Sequence, residues 1–371
     1  MKILILGGTG VLSTDFTKKC LDENNEVWMI NRGRQIALID DRAKNIIGDL
    51  RCEMIKELRD KVKREHFDVI IDFLSFTPEQ LDKSLVVFAG LFEQYVFISS
   101  ATAYIKKDNE IIKEDITPIG NKKWTYAYNK SLCENLIRHK DILYTIIRPY
   151  ITYGRTRIPF QIIPDGYNFT LLYRIIEDKP VALLDNGNAL CTLTNTIDFA
   201  NMLYRLLKNE HAYKEAFHIT SRVSEPWREV YFRYCKILNR DPKIVSVTKE
   251  DIWRFMPDYY QSLIGDKGTS WEFDNQKILD TIGGYEFTVG LEEGLERSVN
   301  FYLTHPEMQS VDYRWEGKMD YMLRHRSKYK DMKILPSDNS GSSNRYEYYI
   351  FNTPLLNEAY MAYWKIKYRE K

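Results

Sequence analysis

Cysteine is scarce in this chain, and what there is does not pair. Cys20, Cys52, Cys133, Cys191 and Cys235 are odd in number, widely spaced and never in a C-x-x-C arrangement. That argues against a disulfide framework and a cysteine zinc site, and a reducing, cytoplasmic setting is expected. His66, His139, His211, His218, His305 and His325 show no metal-ligand spacing either, so no metal is expected. An excess of one charge is missing too: 53 Lys and Arg against 52 Asp and Glu leave +1, which gives no global field for nucleic acid or anionic lipid. Long apolar runs are also lacking. The opening Met-Lys-Ile-Leu-Ile-Leu-Gly-Gly holds four apolar residues before its glycines, too few for a signal h-region or a membrane span. No later stretch is long enough, so neither nucleic acid nor membrane is expected as a partner.

What remains is a globular composition. With 44% hydrophobic, 28% charged and 13% aromatic residues the chain can bury a large core, and at 371 residues it is too long for a single one. Over the first 150 residues one rhythm repeats: a short β-branched apolar run, a turn, then helical spacing. Strands are expected at Lys2–Leu6, Glu26–Asn31, 45–47, 68–73, 95–99 and 143–147. Ile3-Leu4-Ile5-Leu6 and Val69-Ile70-Ile71 are continuous apolar runs, as in a parallel sheet covered on both faces, which predicts a doubly wound α/β fold. After Arg148-Pro149 the sequence becomes turn-rich, with a helix expected at 197–209 and a strand near 216–220. The expected organisation is a dinucleotide-type domain over 1–150 with returns near 190–220, a smaller α/β lobe over 151–305, and a C-terminal extension over 306–371. That extension holds nine of the 26 tyrosines. Within it, Tyr346-Glu347-Tyr348-Tyr349-Ile350-Phe351 reads as a strand and 355–368 as a helix, both expected to dock, since so many exposed aromatics invite aggregation.

Two motifs carry chemistry. Gly7-Gly8-Thr9-Gly10-Val11-Leu12-Ser13 follows the first strand and opens a helix, where glycines let backbone N–H groups approach a pyrophosphate at the positive helix end. Its spacing is G-x-x-G-x-x-S, with Ser13 as the last small residue. Further on, Tyr126-Ala127-Tyr128-Asn129-Lys130 places a tyrosine and a lysine on one face of a helix. The ammonium favours phenolate and prepares Tyr126 as a base. Upstream, Ser99-Ser100-Ala101-Thr102-Ala103-Tyr104 lies at the end of a sheet strand, where doubly wound folds place ligands.

Together these segments resemble the extended short-chain dehydrogenase/reductase superfamily, specifically its NAD(P)-dependent epimerase/dehydratase branch, which acts mostly on nucleotide sugars. The resemblance covers about residues 1–305 and implies a Rossmann sheet. It implies a catalytic Ser100, Tyr126 and Lys130: Ser100 holds the substrate oxygen, Tyr126 takes its proton, and Lys130 also binds the nicotinamide ribose. The cofactor contacts it implies are Gly7, Thr9, Gly10, Val11 and Leu12 at the phosphates, with Asp49 and Leu50 at the adenine. Leu74 and Ser75 lie under the cofactor, and Pro149 and Ile151 at the nicotinamide. Thr102 and Thr152 are implied at the substrate. The second strand ends Asn31-Arg32-Gly33-Arg34 where an acidic residue would select NAD. Asn31 with Arg32 and Arg34 favours NADP, and NAD remains the alternative. Asp49 has a second reading, as the cap of a helix starting near Cys52.

Ala101-Thr102 replaces the Asp-Glu pair of the branch's dehydratases, leaving an epimerase or a ketoreductase of a nucleotide-activated sugar. A catalytically silent dinucleotide-binding redox sensor, or an RNA-associated relative, is the other reading. Helices near 78–91 and 124–139 resemble the family's four-helix dimer interface, which implies a homodimer with Phe88, Leu91, Leu132 and Leu136 as contacts.

Overall fold

The computed structural model describes residues 1–33, 39–107, 110–326 and scattered positions between 348 and 363. The chain forms two compact units. One comprises Met1–Gly154, Thr192–Val223 and Glu272–Leu291; the other comprises Arg155–Cys191, Ser224–Trp271 and Glu292–Lys371. The first unit thus also takes in 272–291, a segment expected in the lobe, and the second takes in the chain after 305.

The first unit is a seven-stranded parallel sheet of β1 (Lys2–Leu6), β2 (Glu26–Asn31), β3 (Lys44–Ile47), β4 (Phe67–Asp72), β5 (Phe92–Ile98), β6 (Leu143–Pro149) and β7 (Glu215–Ile219). Their order is β7-β6-β5-β4-β1-β2-β3, with parallel pairing throughout. This is the doubly wound Rossmann arrangement with one added strand, and its order reverses between β1 and β4, where such sheets open a crevice at their carboxyl ends. The alternation of side chains along a strand explains why β1 has to be apolar throughout. Ile3 and Ile5 enter a core with Phe16 of α1 (Val11–Asp22), whereas Leu4 and Leu6 enter the opposite core with Leu58, Leu81 and Ile137. Those three belong to α2 (Ile55–Val62), α3 (Pro78–Phe88) and α4 (Thr125–Arg138), and α5 (Thr196–Tyr204) packs beside α1.

The expected strands of this unit are all present, with ends moved by up to three residues. The helix expected over 197–209 stops at Tyr204. Two of the four expected dimer contacts are corrected: Phe88 is wholly buried and Leu91 nearly so, both inside the chain's own core, while Leu132 and Leu136 are half-buried.

The second unit contains a parallel pair, Val181–Leu184 with Ile244–Val247. Its core gathers Ala182, Leu184, Val245 and Phe255 around Trp315, Met319 and Met322 of the helix Tyr313–Arg326. Trp227 and Trp271 are core residues whose indole N–H groups donate to the Lys267 and Asp266 carbonyls at 3.1 and 2.9 Å. Five polar groups are buried together. Arg174 donates to both Glu316 oxygens and to Asp320 at 2.9 Å, and Lys179 reaches the same two carboxylates at 2.7 and 2.8 Å. Tyr348, from the C-terminal extension, donates to Asp320 at 2.7 Å. The strand expected over 346–351 is corrected: Tyr348, Tyr349 and Phe351 are helical. Among the described residues no helix is long and apolar enough to cross a membrane, and no three His, Cys, Asp or Glu side chains gather as metal ligands.

Removing one member of a buried, charge-balanced cluster strands its partners. Asp320→Ala, which leaves Arg174 and Lys179 to share one carboxylate, is expected to destabilise the fold by about 3–5 kcal/mol. Urea unfolding measures this, and a loss under about 1 kcal/mol would show that the cluster does not hold the extension in place.

Candidate active site

The glycine loop is shaped by what presses on it. Gly7 has φ +94°, in the left-handed region, and a Cβ there would sit 2.6 Å from Leu74 Cδ2. A Cβ on Gly8 would overlap Met29 Sδ. Ser13 closes the loop, accepting from the Gly10 N–H at 2.8 Å and donating to the Gly7 carbonyl at 2.7 Å. Helix α1 begins at Val11, and its first helical bond runs from Thr14 N–H to Gly10 C=O at 3.0 Å. The N–H groups of Val11 and Leu12 therefore lie at the positive end of the helix without helical acceptors, as an anion requires.

Asn31 ends β2 nearly buried, its Oδ1 accepting from Gly33 N–H at 2.8 Å and its amide donating to Asn45 Oδ1. Arg32 beside it is exposed, and Arg34 lies outside the described residues. Asp49 follows β3, half-buried, its Oδ1 accepting from Arg51 N–H at 2.9 Å. It does not cap the next helix, which begins at Ile55 after Met54 rather than near Cys52. Leu50 beside it is buried.

At the end of β4, Asp72 is wholly buried and was not singled out by the sequence. Its Oδ1 accepts from the N–H groups of Leu74 and Ser75 at 2.8 and 2.9 Å, and its Oδ2 accepts from Ser75 Oγ at 2.5 Å and Tyr95 OH at 2.7 Å. The turn this creates aims the Ser75 carbonyl at Lys130, whose Nζ donates to Ser75 O and Ile98 O, each at 2.7 Å. Lys130 is 2% exposed, and its Nζ lies 4.7 and 4.9 Å from the ring centres of Phe76 and Phe97 and 6.0 Å from that of Tyr126. Burial pulls its pKa down to about 8. Tyr126 is half-buried, its ring 4.8 Å from that of Trp124 and 6.2 Å from that of Phe76.

Ser100 follows β5 and caps the short turn Ala101–Ala103, which packs against α4; its Oγ lies 2.8 Å from Thr102 Oγ1. Pro149 ends β6, Ile151 is half-buried, and Thr152 is buried in a short strand that pairs with Thr194. The turn after β4 and the end of β5 thus meet α4 around the Lys130 ammonium. A second omission by the sequence lies one turn beyond it: Glu134, wholly buried, accepts from Arg148 Nε and Nη2 at 2.9 and 2.6 Å. The available signal was spacing, since Tyr126, Lys130 and Glu134 recur every four residues on one helix face.

This geometry agrees with sequence kinship. The chain matches the NAD dependent epimerase/dehydratase family over residues 3–219. It belongs to that family. A relative from Arabidopsis thaliana, the chloroplast stem-loop binding protein of 41 kDa b, is 25% identical over 59% of this chain and 58% of its own length. The bifunctional polymyxin resistance protein ArnA of Wigglesworthia glossinidia brevipalpis is 24% identical over 57% of this chain. This family member spans 58% and 36% of the length of those two relatives. Among solved structures, an epimerase from Methanothermobacter thermautotrophicus superposes with TM-score 0.68 at 18% identity, covering 83% of this chain and 93% of the other. The UDP-glucuronic acid 4-epimerase of Bacillus cereus, solved with UDP-glucuronic acid and NAD, gives 0.64 at 18% identity over 82% and 99%. These likenesses show the Rossmann-like fold.

Lys130 makes a pH prediction. Its folded pKa lies below the ordinary lysine value of 10.5, so between about 8 and 10.5 the unfolded chain binds more protons and stability rises with pH. Relative to Lys130→Met, the wild type is expected to gain up to about 3 kcal/mol across that window. Urea unfolding at pH 7 and pH 10 measures the difference, and a flat difference would place the ammonium in contact with water.

Proposed function

We propose that this family member is an NAD(P)-dependent enzyme acting on a nucleotide-activated sugar, as an epimerase or ketoreductase. The observation that carries the reading is the Lys130 ammonium, held between the turn after β4 and the end of β5 on the same helix face as Tyr126. The residues fit a dinucleotide: Gly7 and Gly8 let the loop pack directly on Leu74 and Met29, and the Val11 and Leu12 N–H groups that follow lack helical acceptors, at the point where strand order reverses. Gly7, Thr9, Gly10, Val11 and Leu12 would hold its pyrophosphate, Asp49 and Leu50 its adenine side, and Leu74, Ser75, Pro149 and Ile151 its nicotinamide half. When bound, NAD(P) supplies the hydride acceptor.

The chain's own groups handle the proton. Ser100 orients the substrate hydroxyl, with Thr102 and Thr152 beside it; Tyr126 takes the hydroxyl proton as the carbon gives up hydride, leaving a carbonyl. Lys130 favours the phenolate of Tyr126 and reaches the ribose. Solved relatives hold UDP-sugars and NAD, which supports the substrate class. An epimerase returns the hydride before release, so dinucleotide surviving purification favours epimerase over reductase. A homodimer through α3 and α4 is part of the reading, with Leu132 and Leu136 still available as contacts.

A second reading, an RNA-associated member, is supported by the name of the Arabidopsis relative; the formal charge of +1 gives it no electrostatic help.

Tyr126→Phe deletes the proton acceptor and little else, so turnover of UDP-sugars is expected to fall about 10²–10⁴-fold with dinucleotide binding nearly intact. Turnover within a few-fold of wild type would remove Tyr126 from the chemistry.

NADP is the preferred dinucleotide in this reading, because Asn31 Oδ1 is engaged by Gly33 and the exposed Arg32 can pair with a 2′-phosphate. Arg32→Asp is expected to move preference toward NAD in titrations with both cofactors. An unchanged ratio of affinities would make Arg32 a solvated turn residue.

A further inference from the structure

Helix α4 carries a third residue on the face of Tyr126 and Lys130. Glu134 is wholly buried, and its partner Arg148 is 2% exposed. Glu134 Oε1 accepts from Ser99 Oγ at 2.6 Å and from Arg148 Nε at 2.9 Å, and Oε2 accepts from Arg148 Nη2 at 2.6 Å. The remaining arm of the guanidinium donates to Tyr104 OH at 2.7 Å. Tyr104 OH lies 3.2 Å from His218 Nδ1, and His218 Nε2 lies 2.7 Å from the Asp274 carbonyl. The carbonyl can only accept, which assigns the ring proton to Nε2 and leaves Nδ1 to accept from Tyr104. Arg148 therefore donates both ways along the chain of bonds, to Glu134 on one side and on the other to Tyr104, which passes its own proton toward His218.

Three segments end on this one carboxylate or its partner: the Ser99–Tyr104 turn bearing Ser100, helix α4 bearing Tyr126 and Lys130, and the end of β6 leading to Pro149 and Ile151. The Ser99 N–H also donates to the Ile147 carbonyl at 2.7 Å, and Ile98, the residue before it, supplies one of the two carbonyls on Lys130. A buried ion pair is a poor way to gain stability, because well-packed apolar replacements are often neutral or better. It is a good way to fix rotamers and distances, since a bidentate guanidinium–carboxylate contact defines both a direction and a plane.

We propose that Glu134 is a positioning residue of the reaction: through Ser99 and Arg148 it sets Ser100 in register with the Tyr126–Lys130 face. The inference rests on the enzymatic reading above. Glu134 itself, wholly buried with its oxygens on Ser99 and Arg148, would touch neither substrate nor dinucleotide.

The test separates positioning from mere stability. Single variants such as Glu134→Leu strand a buried charge and are expected to unfold easily, so the informative protein is Glu134→Leu/Arg148→Met, which removes both charges together. Its melting temperature and NADP and NAD affinities should stay near wild type, while kcat on the UDP-sugar turned over by the wild type falls at least tenfold with KM changed less than threefold. Ser99→Ala, which removes one hydroxyl from the same carboxylate, should retain the wild-type melting temperature and lose at least threefold in kcat. Recovery of kcat together with stability in the double variant, or wild-type kcat in Ser99→Ala, overturns the proposal. Should the double variant fail to fold, Ser99→Ala decides alone.

Failure of the wild type on every UDP-sugar would sink the enzymatic reading without deciding this one. The Lys130 titration, followed by NMR in protein labelled with ε-¹³C lysine, then takes the place of kcat. In Ser99→Ala, which leaves the Glu134 charge in place, loosened contacts should move its midpoint upward, and an unmoved midpoint overturns the proposal.

Discussion

The carboxylate of Asp72, at the end of β4 and wholly cut off from water, accepts four hydrogen bonds, and the site is assembled around them. Burial of an ionisable oxygen pair is tolerated when every lone pair is used, and here two backbone N–H groups and two hydroxyls use them. The consequences run in both directions along the chain. Leu74 is turned over Gly7, which is why no Cβ fits there, and Ser75 is turned so that its carbonyl meets the Lys130 ammonium. Tyr95 is drawn in beneath, its hydroxyl also 2.8 Å from Ser84 Oγ of α3, and burial beside Asp72 pushes its phenol well above the ordinary range. One strand end thus links the glycine loop, the helix carrying Tyr126, and α3.

The buried cations Arg148, Arg174, Lys179 and Lys130 are treated in two ways. Arg148, Arg174 and Lys179 each face carboxylates at hydrogen-bond distance, so their charges are neutralised in place. Lys130 is given two carbonyl oxygens and the faces of two phenylalanine rings, which orient an ammonium without cancelling it. Its desolvation is therefore only partly offset, and that imbalance is what pulls its pKa to about 8. A cation kept short of a counter-charge is costly for the fold, and in the proposed reaction it would favour the phenolate of Tyr126.

The parts legible in the sequence were those with a period or a fixed spacing. The apolar β1 run, the glycines that follow it and the four-residue interval from Tyr126 to Lys130 each follow from backbone geometry alone. Pairings between distant residues were not legible. Nothing about a glutamate at 134 or an arginine at 148 indicates that they meet, and Asp72 reads as an ordinary turn residue until its four donors are seen. Apolar spacing on α3 was visible, but which face it covers is decided by the sheet, so Phe88 and Leu91 belong to the core rather than to a partner. The alternating tyrosines near 348 suggested a strand, whereas Tyr348 is helical and ends on Asp320. That outcome depends on a buried anion contributed by a distant helix, which local pattern does not contain.

The turn after β5 narrows the chemistry available to the proposed enzyme. Elimination of water from a sugar needs an acid for the leaving hydroxyl and a base for the adjacent carbon, two titratable groups beyond the one that handles the oxidised hydroxyl. The residues after Ser100 are Ala101 and Thr102, and Thr102 offers a hydroxyl already 2.8 Å from Ser100 Oγ. A hydroxyl pair can orient a substrate oxygen but cannot exchange protons with carbon near neutral pH, because an alcohol is too weak both as acid and as base. In the proposed reaction the proton goes to Tyr126, and that one group serves a single oxygen. Chemistry confined to one carbinol, with proton and hydride leaving from the same C–O unit, is what this arrangement of side chains supports.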